Sequence, residues 1–231
     1  MTSTRKTTFK YDLSKFIPFR DAEACARVRN IKRADITKHP NPKFRIRVID
    51  DLTTFYTEFA LDIVGRIKRK LDAGKKFVGI LPVGPTPQYE VAARMINELK
   101  ISCRHVHTFN MDEYADENGN TAPLSWEGSF QAAMWDNFFN KIDAKLRPPA
   151  RQIHFPDSKN ISSYSRMIED AGEADVCYGG IGWCGHIAFW EAHLGFEFGD
   201  DLVAYKKESM LGFSRGSPPI STILWMVEKR F

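Results

Sequence analysis

The sequence predicts an α/β fold in three layers, a mostly parallel sheet with helices on both faces. Two observations carry that expectation. Short apolar runs, each the length of one strand, alternate with longer stretches whose apolar residues recur every three to four positions. The connections between them are short, and in a strand–helix–strand series that implies right-handed crossovers and parallel pairing. Composition agrees: of 231 residues, 43% are apolar and 27% charged, which suits a packed core rather than a disordered chain.

Residues 1–42 read as an N-terminal extension, and residues 43–231 as one α/β domain. Within the extension, "AEACARVRNIKRADI" has helical spacing, and the prolines of "TKHPNPKF" break it. In "FRIRVID", Phe44, Ile46 and Val48 alternate with Arg45 and Arg47, the pattern of a strand with one exposed face. Asp50 or Asp51 then caps "LTTFYTEFALDIVGRIKRKL", a helix whose stripe is Phe55, Phe59, Ile63 and Ile67. "KKFVGILP" is a compact strand, "VGPTP" interrupts, and "QYEVAARMINELK" resumes helical spacing. "CRHVHTFN" is the next strand, followed by a polar loop, "MDEYADENGNTA". "SWEGSFQAAMWDNFFNKI" reads as one long helix capped by Ser125, with Phe130, Met134, Phe138 and Ile142 as its inner row. "RQIHF" is a short strand, "SSYSRMIEDAG" a helix and "ADVCY" a buried strand. Near the end, "PPISTILWMV" reads either as a last strand or as a tail out of register.

Charge and cysteine usage narrow the class. The 33 basic and 29 acidic residues are interleaved, for a net charge of +4. The densest basic run, "RIKRKLDAGKK", reads as a solvated helix face and not as a nucleic-acid patch, while a small positive excess suits an anionic small substrate. Cys25, Cys103, Cys177 and Cys184 form no CxxC pair and no disulfide framework. The N-terminus has no apolar signal core and no run approaches a membrane span, so the default expectation is a reduced, cytoplasmic protein with no membrane partner.

In an open parallel sheet, ligands bind beyond the carboxyl ends of the strands. Three loops follow strands here. In "LPVGPTPQYE", Gly84 permits close backbone approach, Thr86 offers a hydroxyl, and the helix start favours an anion such as phosphate. An ordinary βα turn with Pro87 at the first helical position fits the same letters, and the prolines remove two N–H donors. In "FNMDEY", Asp112 and Glu113 point differently, so one can face the crevice as a general base while the other packs or caps. In "GGIGWCGHIAFWE", Gly179, Gly180 and Gly182 let the backbone turn against a ligand, and Glu191 can orient His186 for proton transfer, although a packed, satisfied histidine fits the same residues. Cys184, His186, Glu191 and His193 are also potential zinc ligands, and Cys184 a potential nucleophile. C-x-H is not a usual structural-zinc spacing and no second ligand pair appears, so no metal is assigned.

These three loops, in this order, resemble the glucosamine-6-phosphate deaminase/isomerase family over roughly Phe44 to Glu191. "FNMDEY" followed by "GHIAF-x-E" separates the deaminases from sister sugar-phosphate lactonases. The resemblance implies a Rossmann-like fold and a phosphorylated aminosugar, converted to fructose 6-phosphate and ammonia by ring opening, isomerisation and deamination, with no redox cofactor. It assigns Asp112 as the base between C1 and C2, His186 to ring opening and Glu191 to orienting it. Gly84, Thr86, Gly180, Gly182 and Arg215 fall to substrate and phosphate. Val83, Pro85, Trp183 and Cys184 depart from the family pattern, Cys184 standing where an Asp is usual. Those departures admit a catalytically impaired sugar-phosphate binder, or an enzyme with a shifted sugar substrate in which Trp183 and Trp190 stack on the sugar. The sequence after Glu191 is short for the family, so the expectation is a domain incomplete at its C-terminus, whose exposed face a homo-oligomer would bury.

Overall fold

The computed structural model describes residues 22–116, 118–181 and 221–224. Its centre is strand β1, Phe77–Leu81, all five residues of which are buried. A strand buried on both faces must be apolar throughout, which is why "FVGIL" carries no polar alternation. β1 pairs in parallel with β2 (Val106–Asn110) over its whole length, from Phe77 opposite Val106 to Leu81 opposite Asn110. β2 pairs in parallel with β4 (Ile153–His154), and the other edge of β1 takes β5 (Val176–Cys177). The order is β4-β2-β1-β5. The chain thus builds outward from β1 in one direction and returns to its other edge, leaving a switch point between β1 and β5.

The alternation of β1 divides the core. Phe77 and Leu81 join Ile63, Val64 and Ile67 of α2 (Leu52–Asp72), Ala92 and Ile96 of α3 (Pro87–Glu98), and Met134 of α4 (Phe130–Asn137). On the opposite face, Val78, Ile80 and Phe109 meet Tyr164, Ile168 and Ala171 of α5 (Tyr164–Ala171). Three layers result, as the pattern predicts. Further toward the N-terminus, α1 spans Ala22–Arg29, inside the segment expected to be helical.

Local chemistry sets the helix ends. Asp51 caps α2, accepting from the Thr54 backbone N–H at 2.6 Å and its hydroxyl at 2.7 Å. These two bonds hold the exposed Asp51 carboxyl below its ordinary range. Pro87 opens α3 at a position where a missing N–H costs nothing. Gly172 ends α5 with φ +115°, a left-handed conformation that a side chain would strain. The basic run on α2 is largely paired: Arg66 with Asp62, Lys68 with Asp72 and Lys70 with Asp175.

Four expectations need correction. Residues 44–50 form no strand. Phe44 is 57% and Val48 41% exposed, so no face is buried to make the alternation count. The segment lies by α2 instead, tied by an Arg47–Glu58 ion pair. The stretch read as a polar loop contains a strand, β3 (Asp112–Ala115), paired antiparallel with β6 (Ser221–Leu224). Of the two readings of "PPISTILWMV", the strand is therefore the one found. β5 is not buried: Val176 is half-buried and Cys177 exposed, because β5 has one strand neighbour among the described residues.

Finally, the long helix from Ser125 is a short one from Phe130. Turns run through Pro123–Ser129, with the Trp126 N–H on Pro123 O and the Ser129 N–H on Trp126 O. The cap is Ser129, whose hydroxyl accepts from Ala132 N at 3.2 Å. The inner row survives, with Met134, Phe138 and Ile142 buried and Phe130 packed against them.

The start of α4 is fixed from a distance by Glu113. This carboxylate has no exposed surface, and it accepts from Phe130 N at 2.9 Å, Gln131 N at 2.7 Å, Tyr114 N at 2.9 Å and Ser129 Oγ at 3.3 Å. A buried anion is tolerable when the orphan donors of a helix start surround it. Glu113→Ala should therefore lose about 3 kcal/mol of stability in urea denaturation, and Glu113→Gln, which keeps an acceptor, about half of that.

Candidate active site

The candidate site stands at the carboxyl ends of β1, β2 and β5, where the strand order reverses and open parallel sheets bind ligands. Backbone hydrogen bonds set its rim. Met111 N–H donates to Leu81 O and Tyr178 N–H to Ile80 O, each at 3.0 Å, so the exits of β2 and β5 stay level with the exit of β1. Tyr89, wholly buried in the first turn of α3, donates its hydroxyl to Pro82 O and pins the first loop from beneath. Burial, then the nearby Tyr178 and Asp112, raise its phenol.

The first two motif loops and the described start of the third, Gly179–Ile181, approach one another there. A Cβ built on Gly180 would stand 3.4 Å from Gly84 O, so the first and third loops touch backbone to backbone. A Cβ on Gly179 would stand 3.7 Å from the Met111 methyl, which joins the second loop to the third. Gly84 is exposed, Thr86 half-buried and Gly180 half-buried along this line. The Thr86 hydroxyl makes no capping bond to α3. The Gly84–Pro85 peptide is cis.

Asp112 follows Met111 at the start of β3. It is 8% exposed, and its carboxyl is pushed up to about 7, first by burial and then by the charge of Glu113 next to it. The two acids therefore divide the work that adjacent positions allow. Glu113 turns to the α4 N-terminus and is saturated with donors, while no hydrogen bond from the described residues lowers Asp112. A carboxyl titrating near neutrality can take and return a proton.

Of the residues singled out in the sequence, Gly84 and Gly180 thus approach backbone to backbone, Thr86 stands two positions beyond Gly84, and Asp112 follows the Met111 that lies by Gly179. Gly182, His186, Glu191 and Arg215 lie outside the described residues, as do Trp183, Cys184, Trp190 and His193. Tyr89 and Tyr178 escaped the sequence reading, although each is an aromatic placed directly after or before a glycine-bearing loop. Among the described residues no three His, Cys, Asp or Glu gather as a metal site, and no helix is long and apolar enough to cross a membrane.

No known family profile matches the chain. The glucosamine-6-phosphate deaminase of Caenorhabditis elegans is 37% identical over 153 residues, which cover 62% of this chain and 54% of that protein. The enzyme of the same name from Haemophilus influenzae is 34% identical over 163 residues, covering 68% of this chain and 58% of that protein. The chain thus spans a little over half the length of these relatives. Among solved structures, a monomeric glucosamine-6-phosphate deaminase superposes with a TM-score of 0.51 at 22% identity, over 74% of this chain and 72% of that one, a likeness of fold. Over 62–68% of its length the chain is thus similar to proteins named glucosamine-6-phosphate deaminase, at 34–37% identity.

Proposed function

We propose that this chain carries an aminosugar-phosphate isomerase/deaminase site, acting on glucosamine 6-phosphate to give fructose 6-phosphate and ammonia. The observation that carries the reading is the near-neutral, buried carboxyl of Asp112 beside two touching glycine loops. The named activity of the relatives supports the substrate class.

In this reading the phosphate sits by the loop of Gly84 and Thr86, at the positive end of α3, with Gly180, Gly182 and Arg215 completing the hold on the substrate. Pro85 and Pro87 supply no N–H, so the Thr86 hydroxyl and the remaining backbone donors take a larger share. His186, oriented by Glu191, moves a proton to the ring oxygen as the C1 hydroxyl loses one, and the ring opens. Asp112 removes the proton from C2 and returns it at C1. The amine-bearing carbon becomes an imine, which adds water and releases ammonia. Residues 43–231 serve as the α/β domain for this site, with residues 1–42 as an extension.

The direct test incubates the purified chain with glucosamine 6-phosphate and assays ammonia and fructose 6-phosphate together. Both should form in equal amounts, and Asp112→Asn should reduce the rate by at least about 100-fold. No product above that of the Asp112→Asn protein would overturn the reading.

Asp112 also makes a pH prediction. The base must be ionised, so kcat/KM should rise with pH on an acid limb centred near the free-enzyme value of about 7. Stability should move the opposite way. The folded state binds this proton more tightly than the unfolded chain, whose carboxyl titrates near 3.8, so the cost of the buried charge is absent below about 4 and complete above about 7. Asp112→Asn should therefore be more stable than the natural chain at pH 8 in urea denaturation, with the gain shrinking toward pH 4.

A further inference from the structure

β5 is two residues long and, among the described residues, pairs with β1 alone, yet the third motif loop leaves from its end. Backbone pairing over Gly79–Val176 and Ile80–Cys177 is a slender anchor for a loop that must hold sub-ångström geometry. The helix α2, packed over this part of the sheet, supplies what the ladder lacks. Before β5, Asp175 pairs with Lys70 at 2.5 Å, and its carboxylate also accepts from Val78 N at 3.0 Å. After β5, the Tyr178 hydroxyl donates to Asp62 Oδ2 at 2.6 Å. Arg66 Nε donates to the same Asp62 oxygen at 2.7 Å and fixes the carboxylate's rotamer. Phe59 meets the Tyr178 ring edge-on at 5.0 Å.

The spacing fits. Asp62 and Lys70 lie two turns apart on α2, about 12 Å along the axis, and Asp175 to Tyr178 spans about 10 Å of extended chain. Helix and strand run antiparallel, so the early α2 residue meets the late β5 residue and the reverse. α2 therefore clamps β5 at both ends. Burial by itself would raise the Asp62 carboxyl, but the bonds from Arg66 and Tyr178, with the charges of Arg66 and Arg69, hold it below its ordinary range. The acceptor is thus an anion, the stronger partner for a buried phenol.

We propose that Asp62, acting through Tyr178, is a positioning residue for the Gly179–Ile181 loop, setting where that loop meets Gly84 and Met111 and so the site geometry. The clamp itself stands on the contacts above; its bearing on turnover rests on the deaminase reading. Lys70 is the internal control, since it holds the far end of the same strand by a comparable contact.

The test combines hydrogen exchange with kinetics on the full chain. In Tyr178→Phe, the backbone amides of residues 179–181 should exchange about tenfold faster while those of β1 stay unchanged. With glucosamine 6-phosphate, kcat should fall about tenfold, more than KM changes. Asp62→Leu should match it, Asp62→Asn, which keeps an acceptor for the phenol, should recover most of the rate, and Lys70→Ala should leave kcat within about twofold. Unchanged exchange in Tyr178→Phe overturns the clamp, whether or not the natural chain turns over substrate. Faster exchange with unchanged kcat, or an equal loss in Lys70→Ala, overturns the positioning role. A natural chain inert toward glucosamine 6-phosphate sinks the deaminase reading, and the exchange result then decides the clamp on its own.

Discussion

Everything in this structure depends on β1 being buried on both faces and paired on both edges. Its burial requires apolar residues at every position, which in turn requires helices above and below. Its two edges require the chain to turn back after β4, and that reversal sets the switch point at the carboxyl ends of β1 and β5. The exits of β2 and β5 are then levelled against it by single backbone bonds to Leu81 O and Ile80 O. The site is a by-product of the sheet's order before any side chain is chosen for it.

Two adjacent carboxylates, Asp112 and Glu113, are treated unequally. Successive residues of β3 face opposite ways, so Glu113 reaches the free N–H groups of α4 and Asp112 does not. The same charge is stabilised at one position and penalised at the next. Glu113's charge adds to the penalty on Asp112, so the residue that starts a helix also tunes its neighbour. Stability is given up at one carboxylate and kept at its neighbour.

Much of this was legible in the residues. The Ile63 and Ile67 part of the α2 stripe, the cap at Asp51, the Pro87 start of α3, and the runs of β1 and β2 are local patterns, and local patterns suffice where burial follows period; Phe55, at the outer end of the expected stripe, is exposed. The convergence of the loops at Gly84, Met111 and Gly180 followed from strand order alone. That one of Asp112 and Glu113 would cap was readable; which one was not, because it depends on where α4 starts, and α4 starts where Glu113 meets it. The strand at 112–115 was invisible for a related reason: its partner stands at 221–224, beyond any local window. Residues 44–50 erred the other way, with a strand's alternation and no ladder to join. The Tyr178–Asp62 contact joins positions far apart in sequence and left no signal in either.

The pairing of β3 with β6 also orders events in time. Asp112 stands opposite Leu224, about 110 positions later in the chain. β1 and β2 can meet once the first half of the chain has been made, whereas β3 waits for a partner that emerges from the ribosome far later. Glu113's bonds to residues 129–131 can hold β3 in the meantime, so the strand is tied first through a side chain and only last through its ladder.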